Sequence, residues 1–424
     1  MRAMERTERS RRGLYGLLAA NVVSLSGTRL SMIALPWFVI TTTGSAVHTG
    51  LAAFAQMGPY VISKALAGPM VDRLGPRRVI VVAELAAAVA IGAIPAMHAL
   101  GLLPFGALLA VVALVGAASG PADGAKQALI PPVADQAQVP LERVTGLVGT
   151  IERLATTVGA AAAGGVVALL GPVPALLVNA ATFVIAALII AATAPGPQAR
   201  ATGGYLRQLH EGAAFVWRDR LLTGIYAMVS VTNLLDAAMF AVVLPVWAHS
   251  TGHGPAVIGL LAAVFSAAAM AASALAAAIG HRMPRRLTYL VAFLIAGAPR
   301  FVVLALDFPL SWFVAVYVVS GFAAGFINPI LGAVILARIP RELIGRVTAL
   351  GSSVAWAGIP FGGLLGGALV AVAGLSPALV VLGLAYLVTT TLPGLHRGWR
   401  EMDRRPVTSG DSRESVAEER AAAA

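Results

Sequence analysis

Along most of this chain, apolar residues do not alternate with polar ones. They run on for about twenty positions at a time, punctuated by short clusters of charge, Gly and Pro. A run of roughly 20 residues is what an α-helix rising 1.5 Å per residue needs to cross the hydrocarbon core of a bilayer. Twelve such runs are legible, at 14–38, 49–70, 79–98, 104–121, 146–169, 174–194, 222–247, 256–280, 287–306, 309–330, 347–373 and 377–395. A transmembrane barrel would alternate apolar and polar residues in short strands, and these continuous Ala-, Leu-, Val- and Gly-rich runs exclude it. The first run follows the basic stretch Arg9-Ser10-Arg11-Arg12, as a signal peptide would. At about 25 residues it exceeds the ~7–15 of a signal-peptide apolar region and reads as the first span. The pattern therefore predicts an all-α membrane protein with twelve transmembrane helices.

Composition narrows this further. Of 424 residues, 58% are hydrophobic and 12% charged, about half the charged fraction of a soluble domain. With no cysteine in the chain, disulfides, thiolate catalysis and iron–sulfur ligation are ruled out. The net charge of +11 invites a nucleic-acid reading, but the positions of the charges oppose it. Of 30 basic residues, 26 fall in the N-tail, the loops 71–78, 122–145, 195–221, 281–286 and 331–346, and the tail from His396; the intervening loops carry none. By the positive-inside rule this bias orients the chain, with both termini in the cytoplasm of a cell that carries it as a multi-pass inner (plasma) membrane protein. The C-terminal tail mixes its basic residues with Glu401, Asp403, Asp411, Glu414, Glu418 and Glu419 and reads as a solvated, disordered segment rather than a nucleic-acid arm.

The chain also repeats itself. Displaced by 203 residues, 143–178 lies over 346–381 without a gap, and 13 of 36 positions match. RVTGL sits over RVTAL, Gly159 over Gly362, Gly164 over Gly367 and Gly171 over Gly374. At an offset of 209, Leu35-Pro36 falls on Leu244-Pro245, Gly50-Leu51 on Gly259-Leu260 and Arg73 on Arg282. The expected organisation is an N-tail (1–13), a six-helix half (14–194), a cytoplasmic linker (195–221), a second six-helix half (222–395) and a C-tail (396–424). Because six is even, the halves are parallel repeats related by an axis along the membrane normal.

The loop after the second span reads Gly68-Pro-Met-Val-Asp72-Arg73-Leu-Gly75-Pro-Arg77-Arg78, which resembles the GxxxDRxGRR signature of the major facilitator superfamily. Its repeat copy is worn, with His281 where the acid belongs. Ile33-Ala-Leu-Pro36-Trp37-Phe38-Val39 with Thr43-Gly44-Ser45-Ala46, Pro121-Ala122 with Ala128-Leu129-Ile130-Pro131, and Asn179-Ala180-Ala181-Thr182-Phe183 resemble the drug:proton antiporter branch that includes macrolide and siderophore exporters. The likeness covers nearly the whole chain and implies the major facilitator fold. In that superfamily helix 11 neighbours the inner end of helix 2, so Asp72 would meet the positive end of a helix of the other half and latch the halves together. Arg73, Arg77 and Arg78 would pair with Asp123 and Glu84, or would only obey the orientation rule. Gly68 and Gly75 would permit close approach and a tight turn. The branch's GPxxGG signature on helix 5 is reduced to Ala160-Ala161-Ala162-Ala163-Gly164-Gly165, matched on helix 11 by Gly362-Gly363-Leu364-Leu365-Gly366-Gly367. Small residues at this spacing let backbones pack closely in lipid. The branch's helix 4 arginine has no counterpart within 104–121.

Charges within spans are costly and mark function. Arg29, Lys64, Glu152, Arg153 and Asp236 are the charges singled out for mechanism, and proton coupling is assigned to Asp236, Arg29, Glu152 and Arg153. Asp236 would either carry protons or form a static pair with Arg29 across the cavity, while Lys64 would pair with Glu152. In the superfamily fold helices 1, 4, 7 and 10 line the cavity, which nominates Asn21, Ser24, Thr28 and Ser31 on the first span, Asn233 and Phe240 on the seventh, and Tyr317 and Asn328 on the tenth. Trp37 and Trp247, each after a proline, would anchor the membrane interface. Neither Lys64 nor Lys126 completes a phosphate-binding GxxxxGK[ST] loop, the seven histidines are scattered, and no metal or cofactor is expected. The resulting expectation is a monomeric secondary transporter, not an enzyme, embedded in the lipid bilayer and exporting hydrophobic or amphipathic small molecules by alternating access, with H+ as coupling ion. An importer of polar metabolites or a non-transporting sensor are the alternatives.

Overall fold

The computed structural model describes residues 11–195, 215–306, 308–339 and 344–403. The expectations for the N-tail to residue 10, most of the linker and the C-tail from 404 fall outside these residues. The described chain is helical throughout: α1 Arg12–Thr43, α2 Ala46–Ala65 with its continuation Ala67–Leu74, α3 Pro76–Ala99, α4 Phe105–Ala137, α5 Leu141–Leu170 and α6 Pro172–Thr193. After the linker come α7 Arg220–Ser250, α8 Pro255–Ile279, α9 Arg285–Leu304 and α10 Leu310–Arg338. The chain ends with α11, formed by Ile344–Ala357 and Ile359–Ala373, and α12, Leu375–Leu395. Among the described residues, 11 helices are long and apolar enough to cross a membrane. The twelfth, α2, is diluted by His48, Gln56, Tyr60, Ser63 and Lys64.

The sequence repeat reappears in backbone geometry. Gly171 and Gly374, matched by the 203-residue offset, join α5 to α6 and α11 to α12 at φ 85° and φ 84°. That conformation strains any residue with a Cβ, so the two joints demand glycine. Matched glycines also bring the halves together. A Cβ on Gly164 of α5 would meet the backbone of Gly259 on α8, and one on Gly363 of α11 would meet Gly50 of α2. Gly367 sits equally close to Ala46. The overlapping glycine frames of α11 serve two neighbours, because Gly362 and Gly366 press on Leu234 and Ala238 of α7 while Gly363 and Gly367 face α2. This is close packing of the kind small residues allow where lipid supplies no hydrophobic drive.

The main contacts between halves are therefore α2 with α11 and α5 with α8, through the ends of the helices remote from the chain termini. At the terminal end, the first segment of α11 packs on α7 of its own half and touches α2 far less.

Three features depart from the sequence reading. Helix α4 does not stop at Pro121 but runs through Pro131 and Pro132 to Ala137. The reason is a buried stripe, Ala125, Leu129, Val133 and Ala134, that packs into the core with Leu14, Leu17, Val79 and Ile80; Lys126 thus lies inside the bundle, 7% exposed, rather than in a cytoplasmic loop. The C-tail is ordered at its start: Arg397–Asp403 forms a short helix with Trp399 and Met402 buried, and Asp403 accepts from the Arg286 amide at 3.1 Å. Trp247 is not an interface anchor, being 2% exposed and packed against His253 and Phe313.

Candidate functional site

Each half builds an ionic cluster around a buried cation. In the C-terminal half, α9 breaks at Gly297, where Pro299 enters the next turn and where a Cβ would strike the Tyr386 ring. The break sets Arg300, 2% exposed, against Asp236 of α7, and the two form a salt bridge. The guanidinium is boxed by Phe265, Tyr386, Phe301 and Phe240, with ring centroids at 5.2, 5.4, 5.6 and 5.9 Å. Cation–π attraction strengthens once water is excluded, which helps hold this charge in the interior. A π-helical turn, Met239–Val243, begins three residues beyond Asp236 and widens α7 ahead of Pro245. Tyr317 is fully buried, and its hydroxyl has no hydrogen-bond partner among the described residues.

In the N-terminal half, Lys126 of α4 meets Glu84 of α3 at 2.6 Å and donates to Ser24 of α1 at 2.8 Å. Ser24 donates in turn to Glu84 at 3.0 Å. One turn toward the middle of α4, Asp123 lies 3.9 Å from Lys126, with 38% of its side chain exposed, and accepts from the Tyr60 hydroxyl at 2.8 Å. Lys64 donates to the same hydroxyl at 3.0 Å and stands 4.3 Å from the Trp356 ring of α11, a contact between the halves. Arg29 donates to Thr156 of α5 at 2.8 Å and lies within electrostatic reach of Glu152, Asp123 and Tyr60. Glu152 and Arg153 are exposed.

Several expected partnerships change. Asp236 pairs with Arg300 rather than Arg29, because the break in α9 brings a cation of its own half closer than one across the cavity. Lys64 binds Tyr60 and Trp356 and forms no ion pair with Glu152 among the described residues. Glu84 and Asp123 turn to Lys126 and Tyr60, leaving Arg73, Arg77 and Arg78 exposed; Arg77 donates to the Ala191 carbonyl at the end of α6. Asp72 is exposed, with no hydrogen bond or ion pair to another described residue, and residues 340–343, just ahead of α11, lie outside those described. Gly75, at φ 81°, makes the tight turn into α3, whereas Gly68 is exposed.

The polar stripe on α1 does not share one environment. Asn21 and Ser24 are buried, Thr28 bonds back to the Ser24 carbonyl at 2.9 Å, and Ser31 accepts from Asn179 of α6. Asn233 donates to the Ala355 carbonyl at 2.9 Å, tying α7 to α11 beside the break at Gly358. Phe240 belongs to the Arg300 box, and Asn328 is exposed. Sequence reasoning missed Lys126, Arg300 and Tyr60 as site residues. The i,i+3 pair Asp123–Lys126 in an otherwise apolar stretch and the lone Arg300 within a span were the available signals. An apolar crevice of about 400 Å³ lies between α1, α5 and α6, lined by Val22, Leu30, Leu154, Val158 and Val178 among others. It adjoins Arg29, whose stem packs on the crevice-lining Gly159.

Two six-helix repeats packed through glycines, with unsealed charges at one end of their interface, define a multi-pass membrane transporter. The Major Facilitator Superfamily model matches residues 17–235 and again 226–420, and the chain belongs to that family. It is 32% identical over 413 residues to the multidrug efflux pump Tap of Mycobacterium tuberculosis, covering 92% of this chain and 94% of that protein. A second multidrug efflux pump Tap, from Mycolicibacterium fortuitum, is 28% identical over 409 residues, covering 94% and 98%. Among solved structures, the nucleoside transporter NupG aligns with a TM-score of 0.71 at 14% identity, covering 89% of this chain and 97% of that one. A bacterial homologue of the human lysosomal transporter Spinster aligns at 0.72 and 14%, covering 94% and 100%. These two likenesses concern the fold alone.

Proposed function

We propose that the protein exports hydrophobic or amphipathic small molecules by proton antiport, through alternating access of a central cavity. The observation that carries the reading is the one-ended contact between halves: matched glycines close one end, while the terminal end presents Asp72, Arg73 and the first segment of α11 without comparable contact. With the termini cytoplasmic, this is an inward-open arrangement. In the opposite arrangement the terminal ends approach, and Asp72 reaches the start of α11 as a latch. Support for the substrate chemistry comes from an apolar crevice that adjoins Arg29 and from the efflux-pump relatives.

The proton-exchanging carboxylate is one that both water and substrate reach. Glu152 is exposed and makes no ion pair with a described residue. Asp236 holds Arg300 in place instead, since neutralising it would leave a buried guanidinium uncompensated. Expression in a pump-deleted host, with accumulation of a dye panel measured with and without an uncoupler, tests the reading. Exclusion abolished by the uncoupler is expected. Uncoupler-sensitive uptake would make the protein an importer, and indifference to every dye would make it a sensor.

A further inference from the structure

The corner formed by Tyr60, Asp123 and Trp356 contains everything that holds an organic cation: two aromatic faces, from opposite halves, and a partly exposed carboxylate. What occupies it is a cation from the chain itself. Lys64 places its ammonium 4.3 Å from the Trp356 ring and 5.2 Å from that of Tyr60. It reaches Asp123 only through the Tyr60 hydroxyl, by steps of 3.0 and 2.8 Å. Tyr60 and Trp356 stack at 6.2 Å and 26°. A lysine retained for structure would sit directly on a carboxylate, as Lys126 sits on Glu84 at 2.6 Å. Lys64 instead makes the weaker, geometrically tolerant contacts that a foreign cation could replace. Its side chain is half-buried and Trp356 is 39% exposed, so a ligand can enter and the ammonium can leave along its flexible four-carbon stem.

We infer that this corner seats the cationic head of a substrate, with Lys64 as a tethered occupant that the substrate displaces. The inference rests on the export reading for the word substrate, but not for the site. A lipophilic organic cation would place its charge between Trp356 and Tyr60, facing Asp123, and would lay its apolar groups along the neighbouring Phe54 and Phe361 rings, 5.8 Å apart across the same pair of helices. Displacement also removes a contact between α2 and α11 that lies on the terminal side of the glycine pairs, so binding loosens the interface that transport must rearrange. Neutral molecules lack the charge to replace Lys64 and leave it in place.

The chain has two lysines, Lys64 and the buried Lys126, which makes the test direct. Purified full-length protein is reductively methylated with and without tetraphenylphosphonium, and each lysine is followed by mass spectrometry. The cation is expected to raise the modification rate of Lys64 severalfold and leave Lys126 unchanged; a neutral drug of similar size should change neither. In binding measurements, Lys64→Gln is expected to tighten tetraphenylphosphonium binding about tenfold and Trp356→Leu to weaken it about tenfold, while Lys64→Arg stays near wild type. Protection of Lys64 by the cation, an unchanged Lys64 rate, or weaker binding by a folded Lys64→Gln protein would overturn the inference. Dye exclusion from cells separates the two readings. Exclusion without displacement of Lys64 removes the cation seat alone, whereas displacement without exclusion removes export and leaves a cation-binding site.

Discussion

The two halves share a topology and a set of glycines, yet they use charge in opposite ways. In the C-terminal half the Asp236–Arg300 pair buries its cation: the Arg300 guanidinium is boxed by Phe240, Phe265, Phe301 and Tyr386, while 32% of the Asp236 side chain is exposed. In the N-terminal half the charges form a graded series, from the buried Glu84–Lys126 pair through Asp123 and Tyr60 to Lys64 and the exposed Glu152. Asp236 cannot lose its charge without leaving the buried Arg300 guanidinium unpaired in a poor solvent. A series that reaches the interface between halves can exchange partners with water, protons or ligand. On the export reading proposed above, the C-terminal pair is a fixed element and the N-terminal half supplies the variable chemistry.

The comparison breaks most directly at Arg300. Asp236→Asn should destabilise the protein by about 3–5 kcal/mol, because it leaves a buried charge alone. Replacing both partners with Leu and Met should recover most of that loss. Thermal unfolding in detergent checks both, and a stable Asp236→Asn protein would mean that the buried Arg300 charge does not depend on Asp236. Gly164→Val should cost about 1–3 kcal/mol through overpacking against Gly259 and should impair transport beyond its effect on stability, since it wedges α5 from α8. Transport assays at matched protein levels separate the two effects. Asn179→Ala should cost about 1–3 kcal/mol by leaving the buried Ser31 hydroxyl without its partner, a purely structural loss in the N-terminal half. Glu152→Gln should move stability by no more than about 0.5 kcal/mol yet abolish drug-driven proton movement in vesicles. Full coupling in that variant would transfer the proton step to another carboxylate and erase the contrast between halves.

The landmarks of the fold are legible in the sequence; the partners in the site are not. Gly50, Gly164, Gly259 and Gly367 stood out as repeat-matched positions, and they are where the halves touch, since backbone contact in lipid needs residues without side chains. Gly171 and Gly374 stood out similarly, and their positive φ explains why. Asp236 stands out in the sequence as a costly charge within a span, but the pattern points to Arg29 as its partner, where the structure has Arg300. Which cation it meets depends on a break in α9 and the rotation that follows, neither of which periodicity encodes. The apolar run at 104–121 leaves Lys126 in a loop, whereas the buried stripe beyond Pro121 carries α4 onward and takes Lys126 into the bundle. Trp247 followed a proline near a helix end like Trp37, and only packing against Phe313 distinguishes a core ring from a membrane anchor.

By itself, the sequence determined that this chain is a helical membrane protein of two parallel repeats, because hydrophobic run length and glycine placement are local properties that lipid leaves no alternative way to satisfy. The tertiary structure decided how charge is distributed between the halves. Ion pairs and cation–π contacts act over a few ångströms between residues far apart in the chain, as from Lys64 to Trp356 or Ser24 to Lys126, so their partners are chosen by helix rotation and tilt. Repeat symmetry constrains the backbone and leaves those choices free, and in them the two halves diverge.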